Sequence, residues 1–270
     1  MSDDTPYAQR DSGAVAMRRS RVLRAVREGR VARCLKLNTA DPRVAEIFAS
    51  AQPDAIWVCM EHCGAGWTEI EHQIRAAALH DVDTFVRVAR GSYSDYVRAL
   101  ELDAAGLIVP HVMGLEDAQM VRDFTKFAPV GRRALDGGNA DARFLRLGLA
   151  DYLSQANSER VVLHQIEDPE AADDLEAIAE LDGVDGLFFG PGDYSVALGA
   201  PGQMDHAEVE AMRVRVAQVA RQHNKIAATV CSQDQIRRHA DLGYNFLNVG
   251  ADVLALTRFA DEAMAAFGDL

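Results

Sequence analysis

Two carboxylates, Glu167 and Asp193, each follow a short apolar run of the sequence, VVLHQI and GLFF respectively. Two carboxylates with water suit an oxygen-preferring divalent ion such as Mg²⁺ or Mn²⁺, with Co²⁺ also possible. A cation of this kind can stabilise negative charge that develops on a bound oxygen atom during a reaction. Each carboxylate also has a simpler explanation as a helix cap, Glu167 before Asp168-Pro169 and Asp193 in GPGDYS.

Further polar side chains stand at the ends of other apolar runs. His62 follows the second run, Arg87 ends the third, Pro110-His111 follow the fourth and Gln165 lies within the fifth. A histidine suits general base work because its pKa lies near neutral pH. Taken singly, Arg87 could be a core ion-pair partner and His62 a loop histidine. Their density at the ends of successive runs favours a functional site.

The elements that would carry these residues alternate between apolar runs and helical patterns, which is typical of parallel βαβ units. Because no G-x-G-x-x-G follows the first strand, we predict a closed TIM-type (β/α)8 barrel rather than an open nucleotide-binding sheet. Barrel enzymes carry their catalytic residues at the carboxyl ends of the strands. The predicted strands are 33–37, 55–59, 84–88, 106–110, 161–166, 186–189, 226–230 and 246–249. The predicted helices are 16–28, 42–50, 69–79, 95–102, 116–127, 170–181, 208–223, 234–242 and 253–267.

The segment 129–146 (PVGRRALDGGNADARFLR) interrupts the alternation of strands and helices because it is rich in Gly, Asp and Arg. It is either a surface excursion or a lid or subunit contact. Residues 1–14 are expected to be disordered, and 15–270 to form a single barrel domain. The basic helix 16–28 is expected to cover the bottom of the barrel.

Composition excludes several classes of protein. A net charge of −13 argues against nucleic-acid or anionic-membrane partners, which need a basic face. No run approaches the roughly 18 apolar residues of a membrane-spanning helix. The polar start lacks a secretory leader, so the four cysteines are expected to be reduced thiols of a cytoplasmic protein. Their spacing does not complete a structural zinc site.

Five short motifs together resemble the HpcH/HpaI family of class II pyruvate aldolases. They are EH (Glu61-His62), VRV around Arg87, VPH (109–111), QIE (165–167) and GPGDYS (190–195). The resemblance extends from about residue 33 to the C-terminus and includes LGYNFLNVGAD. It implies the phosphoenolpyruvate/pyruvate type of barrel, with a C-terminal helix packed on a neighbouring subunit. A homo-oligomer, a hexamer or trimer of dimers, is the expected assembly.

The resemblance also implies roles for individual residues. Glu167 and Asp193 would be the metal ligands, and Gln165 would orient substrate or water. Arg87 would contact the keto oxygen, and His62 would be the general base, paired with an acidic residue at the place of Glu101. Backbone N–H groups at Gly192 and Asp193 would take the substrate carboxylate. The implied reaction is reversible cleavage of a 4-hydroxy-2-oxo acid to pyruvate, or a related 2-oxo acid, and an aldehyde.

Departures from the family pattern cluster at the rim that shapes the pocket. Cys59 stands where an acidic residue is usual, Lys36 where glycine is frequent and Cys34 where a bulky aromatic is frequent. We expect specificity to depend on Lys36 and Cys59 together with Pro110, His111 and Ser232. The departures suit an aldolase with shifted specificity or a related enolate enzyme, a decarboxylase or cyclising enzyme. A degenerate barrel that acts as a binding subunit is a further alternative.

Overall fold

A computed structural model describes residues 15–268 of the chain. Eight parallel strands form a closed barrel in which each strand pairs with the next and the eighth pairs with the first, so the predicted (β/α)8 architecture is confirmed. The strands are β1 (Ala32–Leu37), β2 (Ala55–Cys59), β3 (Asp83–Arg87), β4 (Gly106–Val109), β5 (Val161–Ile166), β6 (Gly186–Phe189), β7 (Ile226–Cys231) and β8 (Phe246–Ala251).

The helices follow the predicted order with two additions. They are α1 (Arg21–Arg27), α2 (Pro42–Ser50), α3 (Trp67–Ala78), α4 (Tyr93–Glu101), α5 (Leu115–Thr125), α6 (Leu149–Glu159), α7 (Leu175–Glu180), α8 (Pro191–Ala197), α9 (Ala207–Gln222), α10 (Ile236–Leu242) and α11 (Asp252–Ala265). The sequence did not predict α6 or α8. The predicted helices 170–181 and 234–242 each begin with a 3₁₀ turn, Pro169–Ala172 and Gln233–Gln235. The basic helix is shorter than 16–28, because Ser20 caps it by accepting a hydrogen bond from Leu23 N at 3.1 Å.

The interior of the barrel is filled by alternate residues of the strands, since side chains of a strand point to opposite faces with a period of two. Trp57 packs edge-on against Phe188, with ring centroids 5.4 Å apart, and Phe85 lies 5.0 Å from Phe246. Two residues further along β2 and β3, the same alternation places Cys59 and Arg87 above this apolar layer. The polar side chains at the mouth of the barrel, which we call the polar rim, therefore lie directly above a packed apolar layer.

The bottom of the barrel is closed by the N-terminal segment, as predicted. Asp83, the fully buried first residue of β3, accepts hydrogen bonds from Arg18 Nη1 and Ser20 Oγ, both at 2.8 Å, and from Val22 N at 3.0 Å. These three donors satisfy a buried carboxylate that would otherwise be costly. Residues 1–14, for which we expected disorder, lie outside the described residues.

The segment 129–146 contains no helix or strand, as its composition suggested, but it is more than a surface excursion. Arg133 and Asp141 are both buried and form an ion pair at 2.8 Å. The hydroxyl of Tyr152 in α6 donates to the same carboxylate at 2.7 Å. This buried network anchors the middle of the segment to α6. Whether the segment also acts as a lid or a subunit contact stays a prediction.

The last helix, α11, has an unusually apolar outer surface. Only its first residue, Asp252, is buried, and that carboxylate accepts hydrogen bonds from Asn38 N, Thr39 N and Thr39 Oγ1. Further along the helix, Leu254 is 65 % exposed and Phe259 is 70 % exposed. In the part of the chain that the structure describes, no helix has the length and apolar character to cross a membrane.

Candidate metal-binding active site

Glu167 is the centre of the polar rim and is almost completely buried. It follows β5, and its Oε1 accepts a hydrogen bond from His111 N at 2.9 Å, while Oε2 accepts one from the side-chain amide of Gln165. Burial raises the pKa of Glu167 to about 7, although both hydrogen bonds act in the opposite direction. The negative charge of Asp193 adds to the increase. A buried carboxylate of this kind is poised to accept a cation.

Glu61 and His111 lie on the β2 and β4 side of Glu167. One ligand atom from each of these three residues lies within 4.8 Å of the other two. The imidazole of His111 also contacts Asp168, with Nδ1 2.9 Å from Oδ2. Burial lowers the pKa of His111, but the hydrogen bond with Asp168 and the charges of Glu167 and Glu61 outweigh it, so that the pKa is raised overall.

Arg87 ends β3 and is buried beneath this group. Its Nε lies 3.0 Å from Glu61 Oε2, and Nε and Nη2 donate to Cys59 Sγ at 3.3 and 3.2 Å. The guanidinium carbon stands 4.8 Å from the centre of the Trp57 ring. Because Glu61, Cys59 and Trp57 all contact it, the guanidinium of Arg87 keeps a fixed orientation. A fixed orientation is what stabilisation of charge on a reacting group requires.

Gln165 and the loop after β6 complete the surroundings of Glu167. Gln165 is buried, and its Oε1 has no hydrogen-bond partner among residues 15–268. A Cβ at Gly190 would lie 2.6 Å from Glu167 Oε2, so a larger residue at position 190 would displace the carboxylate. Asp193 lies in the first turn of α8, where it is exposed. The residue at the N-cap is Gly190, so the alternative explanation of Asp193 as the cap of this helix is wrong.

Lys36, one of the expected specificity residues, also points into the barrel mouth. Its Nζ lies 4.7 Å from the Trp57 ring, on which Arg87 also packs. Burial, followed by the nearby charge of Arg87, lowers the pKa of Lys36. Lys36 lines a cavity of about 910 Å³ together with Gly192 and Ser232. The register between β1 and β8 is irregular between Cys34 and Lys36.

The other expected residues are less directly connected to Glu167. Pro110 is buried behind His111, and Cys34 lies in the apolar layer below the rim. The side chain of His62 is 56 % exposed, and its Nε2 lies 3.5 Å from Glu61 Oε2. No hydrogen bond or ion pair joins His62 to Glu101 within residues 15–268. Burial raises the pKa of Glu101, whose charged neighbours include Arg133 and Asp141. The His62–Glu101 pair stays a prediction, and a single chain does not form it.

Two residues at the centre of the site were missed by reasoning from the sequence. Glu61 was noted only as part of the EH motif, yet it contacts Arg87, His62 and His111. Asp168 was noted only as the residue that follows Glu167, yet its carboxylate lies 2.9 Å from Nδ1 of His111. A signal was present for both, because each acidic residue is adjacent to a predicted site residue at the end of a strand.

The side chains present fit a small divalent cation. Glu167 is desolvated and close to the negative charge of Asp193, so a positive ion would relieve both. The unpaired Oε1 of Gln165 offers an oxygen acceptor beside them. Gly190 leaves the space next to Glu167 Oε2 open. Buried carboxylates that lack a full set of partners are what oxygen-preferring cations bind.

Comparison with known proteins gives a consistent result. Residues 34–258 match the family described as HpcH/HpaI aldolase/citrate lyase. The chain is 33 % identical to the hydroxypyruvate/pyruvate aldolase of Cupriavidus necator, over 86 % of this chain and 87 % of that protein. It is also 33 % identical to the 4-hydroxy-2-oxo-heptane-1,7-dioate aldolase of Klebsiella pneumoniae, over 90 % and 92 %. A solved HpcH/HpaI aldolase/citrate lyase family protein from Burkholderia cenocepacia superposes with a TM-score of 0.84 at 29 % identity, covering 92 % of this chain and 99 % of that one.

Proposed function

The chain belongs to the HpcH/HpaI aldolase/citrate lyase family and is an aldolase-type carbon–carbon lyase, and we propose that it reversibly cleaves a 4-hydroxy-2-oxo acid to an aldehyde and pyruvate, or a related 2-oxo acid. The observation that carries this proposal is the convergence of Arg87, Gln165 and Glu167, three buried polar side chains, at one mouth of the barrel. In barrels of this class the reaction takes place at that face.

Glu167 and Asp193 are proposed to hold the divalent cation, Mg²⁺ or Mn²⁺, with Gln165 orienting the substrate or a water beside it. The buried position of Glu167 and its proximity to Asp193 support this assignment. When bound, the cation supplies positive charge beside the oxygen on which the enolate charge develops.

The remaining steps depend on residues of the chain. His62 takes the proton of the C4 hydroxyl, through a water because its side chain is half exposed. The C3–C4 bond then breaks, the aldehyde leaves, and the electron pair stays on the 2-oxo acid as an enolate. The enolate is protonated at C3 by water, and the protonated His62 gives its proton back to the solvent. Arg87 donates hydrogen bonds to the C2 oxygen as its charge grows. The N–H groups of Gly192 and Asp193 receive the substrate carboxylate.

We also propose that the enzyme is a cytoplasmic homo-oligomer, a hexamer or trimer of dimers. The exposed apolar face of α11 supports this, because a contiguous apolar surface of this kind is typical of a protein–protein contact. All four cysteines are free thiols, which is typical of proteins kept in a reducing compartment.

The experiment follows exchange of the pyruvate methyl protons in D₂O by NMR, with added Mg²⁺ or Mn²⁺. Exchange reports enolate formation without needing the identity of the aldehyde. Glu167→Ala and Asp193→Ala should each abolish metal-dependent exchange, while circular dichroism shows an intact fold. Glu180→Ala removes an exposed carboxylate at the end of α7 and is the matched control, which should exchange as the wild type does.

Two results would refute the proposal. Exchange that persists at the wild-type rate in Glu167→Ala or Asp193→Ala would remove these residues from the metal site. Wild-type protein that shows neither metal-dependent exchange nor cleavage of any 4-hydroxy-2-oxo acid would exclude the reaction itself.

A further inference from the structure

We propose that His111 is a nitrogen ligand of the divalent metal ion that Glu167 holds, and that it makes the site select Mn²⁺, Co²⁺ or Zn²⁺ over Mg²⁺. This inference rests on the proposed function, because it shares the metal site of Glu167. It goes further by adding a ligand and by deciding between the ions that two carboxylates alone leave open.

The first argument is the geometry of the ring. His111 follows β4 directly, and its backbone N–H is fixed on Glu167 Oε1 at 2.9 Å. Its Nε2 lies 3.5 Å from Glu61 Oε1, on the opposite side of the ring from Asp168. Ligand atoms of His111, Glu61 and Glu167 all lie within 4.8 Å of one another, so the three residues could hold one ion, and His111 Nδ1 is 3.6 Å from Glu167 Oε1.

The second argument is the orientation of the imidazole. Asp168 Oδ2 lies 2.9 Å from Nδ1 and, as a carboxylate, accepts the Nδ1–H hydrogen. This assigns the lone pair of the neutral ring to Nε2, the nitrogen that faces Glu61. A metal-binding histidine commonly gives its other N–H to a carboxylate in this manner, which fixes the tautomer and strengthens the ligand. Asp168, His111 and the metal would form that arrangement here.

The third argument is the backbone of His111, which has φ of 51°. A residue with a side chain rarely adopts this left-handed conformation, and it persists where the surrounding structure enforces it. Here the conformation allows the N–H of His111 to reach Glu167 while the ring reaches Asp168. The same residue therefore connects two carboxylates of the rim.

An independent observation in the same place points to a ligand. Gln165 is 2 % exposed and its amide nitrogen binds Glu167, while its Oε1 lacks a hydrogen-bond partner in the part of the chain that the structure describes. A buried amide oxygen without a donor is costly unless something that is not part of the chain binds it. A cation, or a water on that cation, would satisfy it.

The choice of metal follows from the ligand types. Carboxylates and water alone favour Mg²⁺, Ca²⁺ or Mn²⁺, whereas imidazole suits the transition ions, whose affinities rise through the first-row series. Because Mg²⁺ binds nitrogen weakly, an added imidazole should increase the affinity for Mn²⁺ and Co²⁺ more than that for Mg²⁺. The competing explanation is that protonated His111 only neutralises Glu61, Glu167 and Asp168 and never binds metal.

The test uses the full chain, stripped of metal and labelled with ¹⁵N-histidine, to which Mn²⁺ is added. Pulsed electron paramagnetic resonance should detect a histidine nitrogen coupled to Mn²⁺ in the wild type. The coupling should disappear in His111→Gln and persist in His62→Gln, the matched control at the same rim. By calorimetry, Mn²⁺ affinity should fall about 10- to 100-fold in Asp168→Asn, and by at least as much in His111→Gln. Mg²⁺ affinity should change less than threefold.

The outcomes separate this inference from the proposed function. Mn²⁺ that binds the wild type without nitrogen coupling, or with coupling that survives in His111→Gln, overturns the role of His111 and leaves the Glu167 site intact. Absence of Mn²⁺ and Mg²⁺ binding to the wild type would instead remove the metal site of the proposed function. The wild-type measurement needs no variant, so a His111→Gln chain that fails to fold does not prevent the test.

Discussion

Replacing Glu167 by glutamine in the metal-free protein should stabilise the fold at pH 8 and have little such effect at pH 5. Burial raises the pKa of Glu167 from its ordinary 4.5 to about 7. Between these two values the unfolded chain releases a proton that the folded chain retains, so the stability of the wild type falls as the pH rises through this window. Glutamine has no charge to bury and removes that dependence.

The magnitude follows from the two pKa values. Each unit of difference corresponds to roughly 1.4 kcal/mol, so ionised Glu167 costs the folded state roughly 3 kcal/mol above pH 7. At pH 5 the remaining cost is below roughly 1 kcal/mol, because the native carboxyl is then protonated. Since a change of 1 kcal/mol moves the melting temperature of a protein of this size by roughly 2–4 °C, the variant should melt several degrees higher at pH 8.

The assay is urea unfolding of wild type and Glu167→Gln in chelator at several pH values between 5 and 8.5. The exposed Glu180→Gln is the control for a change of one net charge. The difference between wild type and Glu167→Gln should grow with pH up to about 7 and then level off. Addition of Mn²⁺ should stabilise the wild type, because a ligand that binds only the folded state stabilises it. The variant lacks the carboxylate that is proposed to bind the ion and should not be stabilised. A difference that is constant with pH, or that shrinks as the pH rises, would refute the assignment of a buried, raised-pKa carboxyl.

Two further substitutions test other parts of the molecule. Arg87→Lys should lower kcat by about 10²–10³, because lysine cannot reproduce the planar guanidinium that contacts both Glu61 and Cys59. The control is Arg90→Lys, which changes an exposed arginine and should leave kcat within about twofold. A loss below tenfold in Arg87→Lys would count against the proposed role of Arg87. Phe259→Asp should dissociate the proposed oligomer, which light scattering would show as a lower mass. The control is Asp261→Ser, which changes an exposed residue of the same helix and should leave the mass unchanged. An unchanged mass in Phe259→Asp would mean that the apolar face of α11 is not the subunit contact.

Much of the barrel was predictable because its strands are buried on both faces and therefore appear as short apolar runs. The bounds of β2, β5 and β6 were predicted to the residue. The two missed helices have weaker patterns. In α6 (LADYLSQANSE) only Tyr152 and Ala156 are buried, which leaves little apolar periodicity to detect. In α8 the sequence begins with Pro191 and Gly192, residues that are typical of a turn.

From the sequence, the candidate site could be predicted only as a set of polar residues at the ends of successive strands. Period-two alternation with a buried layer below predicts that Arg87 and Gln165 point into the mouth. It does not predict which loop side chains turn towards them, because that depends on the backbone angles of a few loop residues. The left-handed His111 is the clearest example, since the direction of its ring decides the contacts with Asp168 and Glu61.

Cys59 stands where an acidic residue is usual in the family, so the mouth of the barrel has one carboxylate fewer beside Arg87. Arg87 and Lys36 pack on one Trp57 ring, and Cys59 lies within hydrogen-bond distance of the guanidinium. A carboxylate about 4 Å from the Arg87 guanidinium would attract it by about 4 kcal/mol at the effective dielectric of a protein surface, and position 59 supplies no carboxylate. Glu61 is then the main compensation for Arg87, and Lys36 is in no ion pair among the described residues. Arg87 and Lys36 are therefore the positive groups beside Cys59 that can attract a 2-oxo acid carboxylate, next to the carboxylates of Glu61 and Glu167. The departure at Cys59 therefore favours a changed charge preference over loss of the reaction.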